Sequence, residues 1–135
     1  MLSGAQIRAL IRWSRERYGQ PFAWGRNDCT TLCLEAIDIL SGTNVAAPRI
    51  GKWHSPLSAA RYGRKVERLD TVLRNVGWSI VDYPSLGDIV IGRRKAWDFC
   101  QVCLGEFCIS VWPEHGVGLG YTKDLPRDAV IWRAP

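Results

Sequence analysis

The spacing of apolar side chains changes character partway along the chain: helical up to about Gly77, then alternating from Trp78 onward. Ile7, Leu10, Ile11 and Tyr18 mark one side of a helix from about Gly4 to Tyr18. Ser3 and Gln6 have capping-box spacing, in which hydroxyl and amide each satisfy an otherwise unpaired backbone N–H, and Gly19 suits the left-handed turn that ends the helix. The cleanest stripe is Cys29, Leu32, Cys33, Ala36, Ile37 and Leu40, which predicts a second helix capped by Asp28 and stopped at "SGTN". Thr30, Thr31, Glu35 and Asp38 fall on its other side, so burial of one face is expected. Ser55 and Pro56 start a short helix reaching about Tyr62. Val66, Leu69, Val72, Leu73 and Val76 outline a fourth, closed by Gly77.

After Trp78 the segments "WSIVDY", "GDIVIG", "DFCQVCLG", "FCISVW", "VGLGY" and "AVIWRA" read as strands parted by Gly, Pro, Asp and Lys turns. Helices followed by a run of strands describe a single α+β domain over residues 1–135 with an antiparallel sheet. At 135 residues one core is expected, and 47% apolar composition argues against disorder. No apolar run approaches the ~20 residues a membrane span needs, and the charged N-terminal stretch is unlike a signal peptide. Folding in a cytoplasm is expected.

The net charge of +5 raises the question of nucleic acid, but Arg8, Arg12, Arg15, Arg17, Arg61, Arg64, Lys65 and Arg68 are interleaved with acidic residues along amphipathic segments. That pattern describes solvated faces, and no direct nucleic-acid contact is expected. "GRRKA" at 92–96 reads as a charged turn. Five cysteines in a reducing compartment speak against a disulfide framework, leaving free thiols, one reactive thiol, or a metal.

"PFAWGRNDCTTLCLEAIDILSG", "SLGDIVIG", "CQVCLG", "GVGLG" and a final "IWRA" together resemble the small phage tail proteins related to NlpC/P60 cysteine peptidases. The resemblance runs from about Pro21 to the end of the chain and is carried by the order and spacing of the pieces. It implies a papain-like fold with the Cys29 helix packed on the sheet. It also implies a place in the tail tip or baseplate hub of a phage particle, with assembly in the host cytoplasm and hub, distal-tail or tape-measure proteins as partners. Peptidoglycan is the substrate of the hydrolytic relatives.

Cys29 at a helix start has the position of a nucleophile, because unpaired N–H groups and the macrodipole favour a thiolate there. Attack also needs a base in hydrogen-bond reach. Aligning the glycine that ends the family's histidine strand with Gly105 puts the expected imidazole at Phe99, Asp98 or Cys100, and none is a histidine. The two histidines are His54, before a helix, and His115, in a loop; His115 is the candidate for a displaced base. An unperturbed Asp98 carboxylate, with a pKa near ~3.9, is a weak base toward a thiol of ~8.5.

Cys29 also reads as a small apolar residue on its own stripe, with Cys33 one turn on. A third reading takes the C-x2-C-x4-C spacing of Cys100, Cys103 and Cys108 with Cys29 or Cys33 as a four-thiolate site for Zn or an iron–sulfur cluster, while no cofactor is the first expectation. In a regular strand Cys100 and Cys103 face opposite ways, so joint ligation needs a bulge. Seven tryptophans are spread through the chain, most of them suited to the core. Trp53 and Trp97, beside basic and loop residues, are the candidate partner contacts.

Overall fold

The computed structural model describes residues 2–93 and 98–135. Four helices, α1 (Gly4–Arg17), α2 (Cys29–Ser41), α3 (Pro56–Lys65) and α4 (Leu69–Asn75), precede six strands, β1 (Ser79–Val81), β2 (Ile89–Arg93), β3 (Asp98–Cys103), β4 (Phe107–Trp112), β5 (Gly116–Tyr121) and β6 (Val130–Arg133). The strands form one antiparallel sheet in the order β1-β6-β2-β3-β4-β5, as the α+β reading expects. Arg94 to Trp97, most of the expected charged turn and one candidate contact tryptophan, lie outside the described residues. No helix among the described residues is long and apolar enough to cross a membrane.

The capping chemistry is as the residues dictate. Ser3 Oγ accepts the N–H of Gln6, whose side chain accepts the N–H of Ser3; Asp28 and Thr31 reciprocate in the same way at α2, and Ser55 and Ser58 at α3. Gly42 ends α2 with a left-handed φ of 65°.

The α2 helix departs from the one-faced expectation. Thr31 and Leu34 are buried along with the stripe, because α2 lies between β3 and β4 on one side and α1 on the other. Gln6 Nε2 donates to the Leu40 carbonyl at 2.8 Å, and Glu35 takes both the Trp13 indole N–H at 3.1 Å and Arg17 at 2.9 Å. Thr31 is tolerated there because its hydroxyl is spent on Asp28.

Side chains alternate across the sheet. Ile89, Cys100, Val102, Ile109, Val111 and Trp132 join α2 in the main core. The connection from β5 to β6 covers part of the other face, where Thr122 meets Cys103 and Cys108 and Pro126 approaches Gly92.

β6 is held by more than its ladders. Asp88, 1% exposed, accepts the Ser85 N–H at 2.7 Å and a two-pronged contact from Arg133, Nε at 3.0 Å and Nη2 at 2.8 Å. The motif pieces "SLGDIVIG" and "IWRA" are thereby one construction: the acid of the first closes on the arginine of the second. Replacing Arg133 by Met leaves that carboxylate buried without its cation, and we expect a loss of about 2 kcal/mol, read from the urea midpoint at unchanged m-value.

Candidate functional site

The approach to α2 is built around one carboxylate. Asp28 is 3% exposed and accepts three N–H groups: Thr31 N at 2.9 Å, Gly25 N at 2.8 Å and the Trp53 indole Nε1 at 2.6 Å. Gly25 is required on two counts. Its φ is +75°, and a Cβ there would run into the carbonyl oxygen of Trp53. The "WGRNDC" stretch therefore folds as a tight loop around that carboxylate, with Asn27 Nδ2 donating to the Pro21 carbonyl at 2.7 Å and the Asn27 N–H to the Ala23 carbonyl at 2.8 Å.

Cys29 follows directly, partly buried at the first position of α2. Its thiol is hydrogen-bonded to Cys100 from β3, and Cys100 is also bonded to Cys33, one turn along the helix. Cys100 is among the positions where the alignment with Gly105 places the family's histidine, and Ser110 Oγ bonds its carbonyl from β4 at 2.7 Å.

The electrostatics oppose a thiolate. The hydrogen bond with Cys100 raises the Cys29 pKa well above the ordinary thiol value, and burial and the Asp28 carboxylate push it further. The helix-terminal advantage is thus overridden chiefly by the Cys100 thiol and by burial, with the capping acid adding to them. Burial raises Cys33. Cys100 is pulled down by its bond with Cys29, but the bond with Cys33 and burial win, leaving it well above the ordinary value. All three sulfurs keep their protons.

No imidazole stands by. His54 and His115 are both exposed, one before α3 and the other in the β4–β5 turn, and neither lines the cleft beside Cys29. The displaced base expected at His115 is therefore not brought to the sulfur. That cleft, of about 680 Å³, is walled by Phe22, Trp24, Leu57 and Tyr62, with Cys29 and Cys100 in its lining. Its charged residues include Arg49 paired with Glu67 at 2.6 Å and Arg68 paired with Asp98 at 3.1 Å.

The five cysteines divide into two groups. β3 runs without a bulge in its register with β2, so Cys100 turns toward α2 while Cys103 turns away and faces Cys108. The shared four-thiolate site expected from the spacing is not assembled, and among the described residues no group of three or more His, Cys, Asp or Glu could hold a metal ion. Trp53, expected as a partner contact, is 4% exposed and turned inward onto Asp28. Its role was hidden because Trp53 and Asp28 are 25 residues apart and only the loop brings them together. Thr122, which reaches Cys103 and Cys108, carried no local signal at all.

Three outcomes follow. Replacing Trp53 by Phe keeps an aromatic ring but shrinks it and deletes one donor to a buried carboxylate, with an expected cost of at least about 2 kcal/mol in urea unfolding. Unfolded thiols release protons near ~8.5, whereas Cys29, Cys33 and Cys100 hold theirs when folded, so the unfolded state binds fewer protons and stability falls as pH rises through that range. Iodoacetamide should accordingly label Cys29 in the folded chain more slowly than a free thiol at neutral pH, as mass spectrometry over a time course would show.

Neither the curated proteins nor the solved structures compared with this chain gave a match. One family model covers nearly its whole length, residues 5–131, and is described as a domain of unknown function. By that match the chain belongs to the DUF6950 family.

Proposed function

We propose that this chain is a papain-like, NlpC/P60-type scaffold that serves in the assembly or structure of a phage tail tip or baseplate hub and does not hydrolyse amides. The observation that carries the reading is the identity of the group facing Cys29: a second thiol, Cys100, occupies the place where a proton acceptor is required. A thiol with a raised pKa cannot take the proton of another, so the nucleophile stays neutral. The helix packed on an antiparallel sheet and the retained "WGRNDC" and "SLGDIVIG" pieces support descent from a peptidase-type plan, although fold does not carry activity by itself.

In this reading the cleft binds rather than cuts. Its aromatic and aliphatic walls, with paired charges among its lining, suit an extended segment of a neighbouring hub, distal-tail or tape-measure protein. The competing reading is a cell-wall endopeptidase with Cys29 as nucleophile and His115 as base.

Two measurements separate them. In a peptidoglycan digestion assay the native chain and Cys29→Ala should release the same background of fragments; release that the native chain shows and the variant lacks would establish the enzyme. Cryo-electron microscopy of the intact particle should find this chain at the tail tip, and its absence from the mature tail would overturn the structural role.

A further inference from the structure

The sulfur chemistry of this protein has a second centre, on the face of the sheet turned away from the Cys29 cleft. Cys103 and Cys108 are directly opposite each other on the antiparallel strands β3 and β4. The kind of pair they form is fixed by the backbone. The Leu104 N–H bonds the Phe107 carbonyl at 2.7 Å, so the next pair inward exchanges no main-chain hydrogen bonds. Consistently, the Cys103 N–H and carbonyl are spent on the other neighbour, donating to Asp88 O and accepting from Gly87 N, both at 2.8 Å.

Non-hydrogen-bonded antiparallel pairs bring Cα atoms to about 4.5 Å, within the roughly 4.4–6.8 Å that a disulfide spans. The two side chains lie on the same face of the sheet and share a partner: Thr122 Oγ1 is 3.5 Å from Cys108 Sγ and 3.9 Å from Cys103 Sγ.

We propose that Cys103 and Cys108 are a vicinal thiol pair that peroxide converts reversibly to a cross-strand disulfide, an oxidation site separate from Cys29 and independent of how the cleft is used. Cys103 is the attacking sulfur. The neighbouring Cys108 thiol lowers its pKa, whereas Cys108 is raised by Cys103 and by burial. This is the reverse of Cys29, whose pKa is raised.

In the first step the Cys103 thiolate attacks one oxygen of hydrogen peroxide. The O–O bond breaks, a sulfenic acid forms, and the departing hydroxide takes up the proton that the thiol had released, giving water. In the second step the Cys108 sulfur displaces hydroxide from that sulfenic acid, forming the S–S bond and a second water as the Cys108 proton is lost. Two thiols are oxidised and one peroxide is reduced to two waters. Both side chains are buried, and the route in is the hairpin turn itself: Gly105, Glu106 and Phe107 are exposed, and the turn is fastened over the thiols by Thr122, whose hydroxyl bonds Gly105 O at 2.6 Å and whose N–H bonds Glu106 O at 2.8 Å. Opening of that short turn admits a water-sized oxidant.

The test uses the full, reduced chain treated with hydrogen peroxide, then alkylated under denaturing conditions and mapped by tandem mass spectrometry. The tryptic fragment carrying Cys100, Cys103 and Cys108 should lose the mass of two hydrogens, with Cys100 alkylated and the other two protected, so that three of the five thiols stay titratable. A reductant should restore all five. In Cys108→Ser the resolving sulfur is gone, and a sulfenic-acid trap such as dimedone should accumulate on Cys103. Peroxide treatment that leaves all three cysteines of the fragment alkylated would overturn the proposal, as would a bridge mapped to Cys29 and Cys100. Because the native chain is decisive alone, a variant that failed to fold would not blunt the result.

Discussion

Three N–H groups converging on the buried Asp28 carboxylate hold the start of α2, and most of the site depends on that convergence. A carboxylate taken out of water is stable only when its lone pairs are filled, so the donors are obligatory rather than incidental. They come from the helix, from the preceding turn at Gly25 and from Trp53. The acid thereby fixes how the chain enters the helix, where the loop after α2 returns, and the depth at which Cys29 sits. The facing Cys100 thiol and burial disfavour ionisation of the adjacent sulfur, and the same negative charge adds to them, so Cys29 stands at a nucleophile's position without a nucleophile's reactivity.

The two thiol groups are a comparison within one molecule. Cys29, Cys33 and Cys100 contact one another where burial and the Asp28 charge favour protonated sulfur. Cys103 and Cys108 lie a few residues further along the same hairpin, yet the neighbouring Cys108 thiol favours charge on the Cys103 sulfur. Spacing that looked like one ligand set is two sites of opposite character, because a strand turns residues three apart to different faces.

Local chemistry made much of the fold legible. The six strand segments and four helices follow from period and caps, and the missing histidine was evident from the sequence, since only two exist and neither falls on the third strand. The burial of Thr31 and Leu34 was not legible, because a helix enclosed on two sides gives no warning in its own stripe. Trp53 was read outward from its basic neighbours and points inward because Asp28 needs its N–H. The helix dipole argued for an acidic Cys29, but its effect is small beside a contacting thiol and a neighbouring carboxylate, neither of which a one-dimensional reading could place.

The sheet is assembled out of chain order. β6 lies between β1 and β2, pairing with Ser79–Val81 on one side and Ile89–Ile91 on the other, so β1 has no ladder of its own until residues 130–133 arrive. On a ribosome the β2 to β5 meander can close while β1 waits beside α4, since hairpins need only near neighbours. The ion pair between Asp88 and Arg133 ties the end of β6 to the start of β2, so the strand that makes the sheet continuous is also fastened by a buried carboxylate.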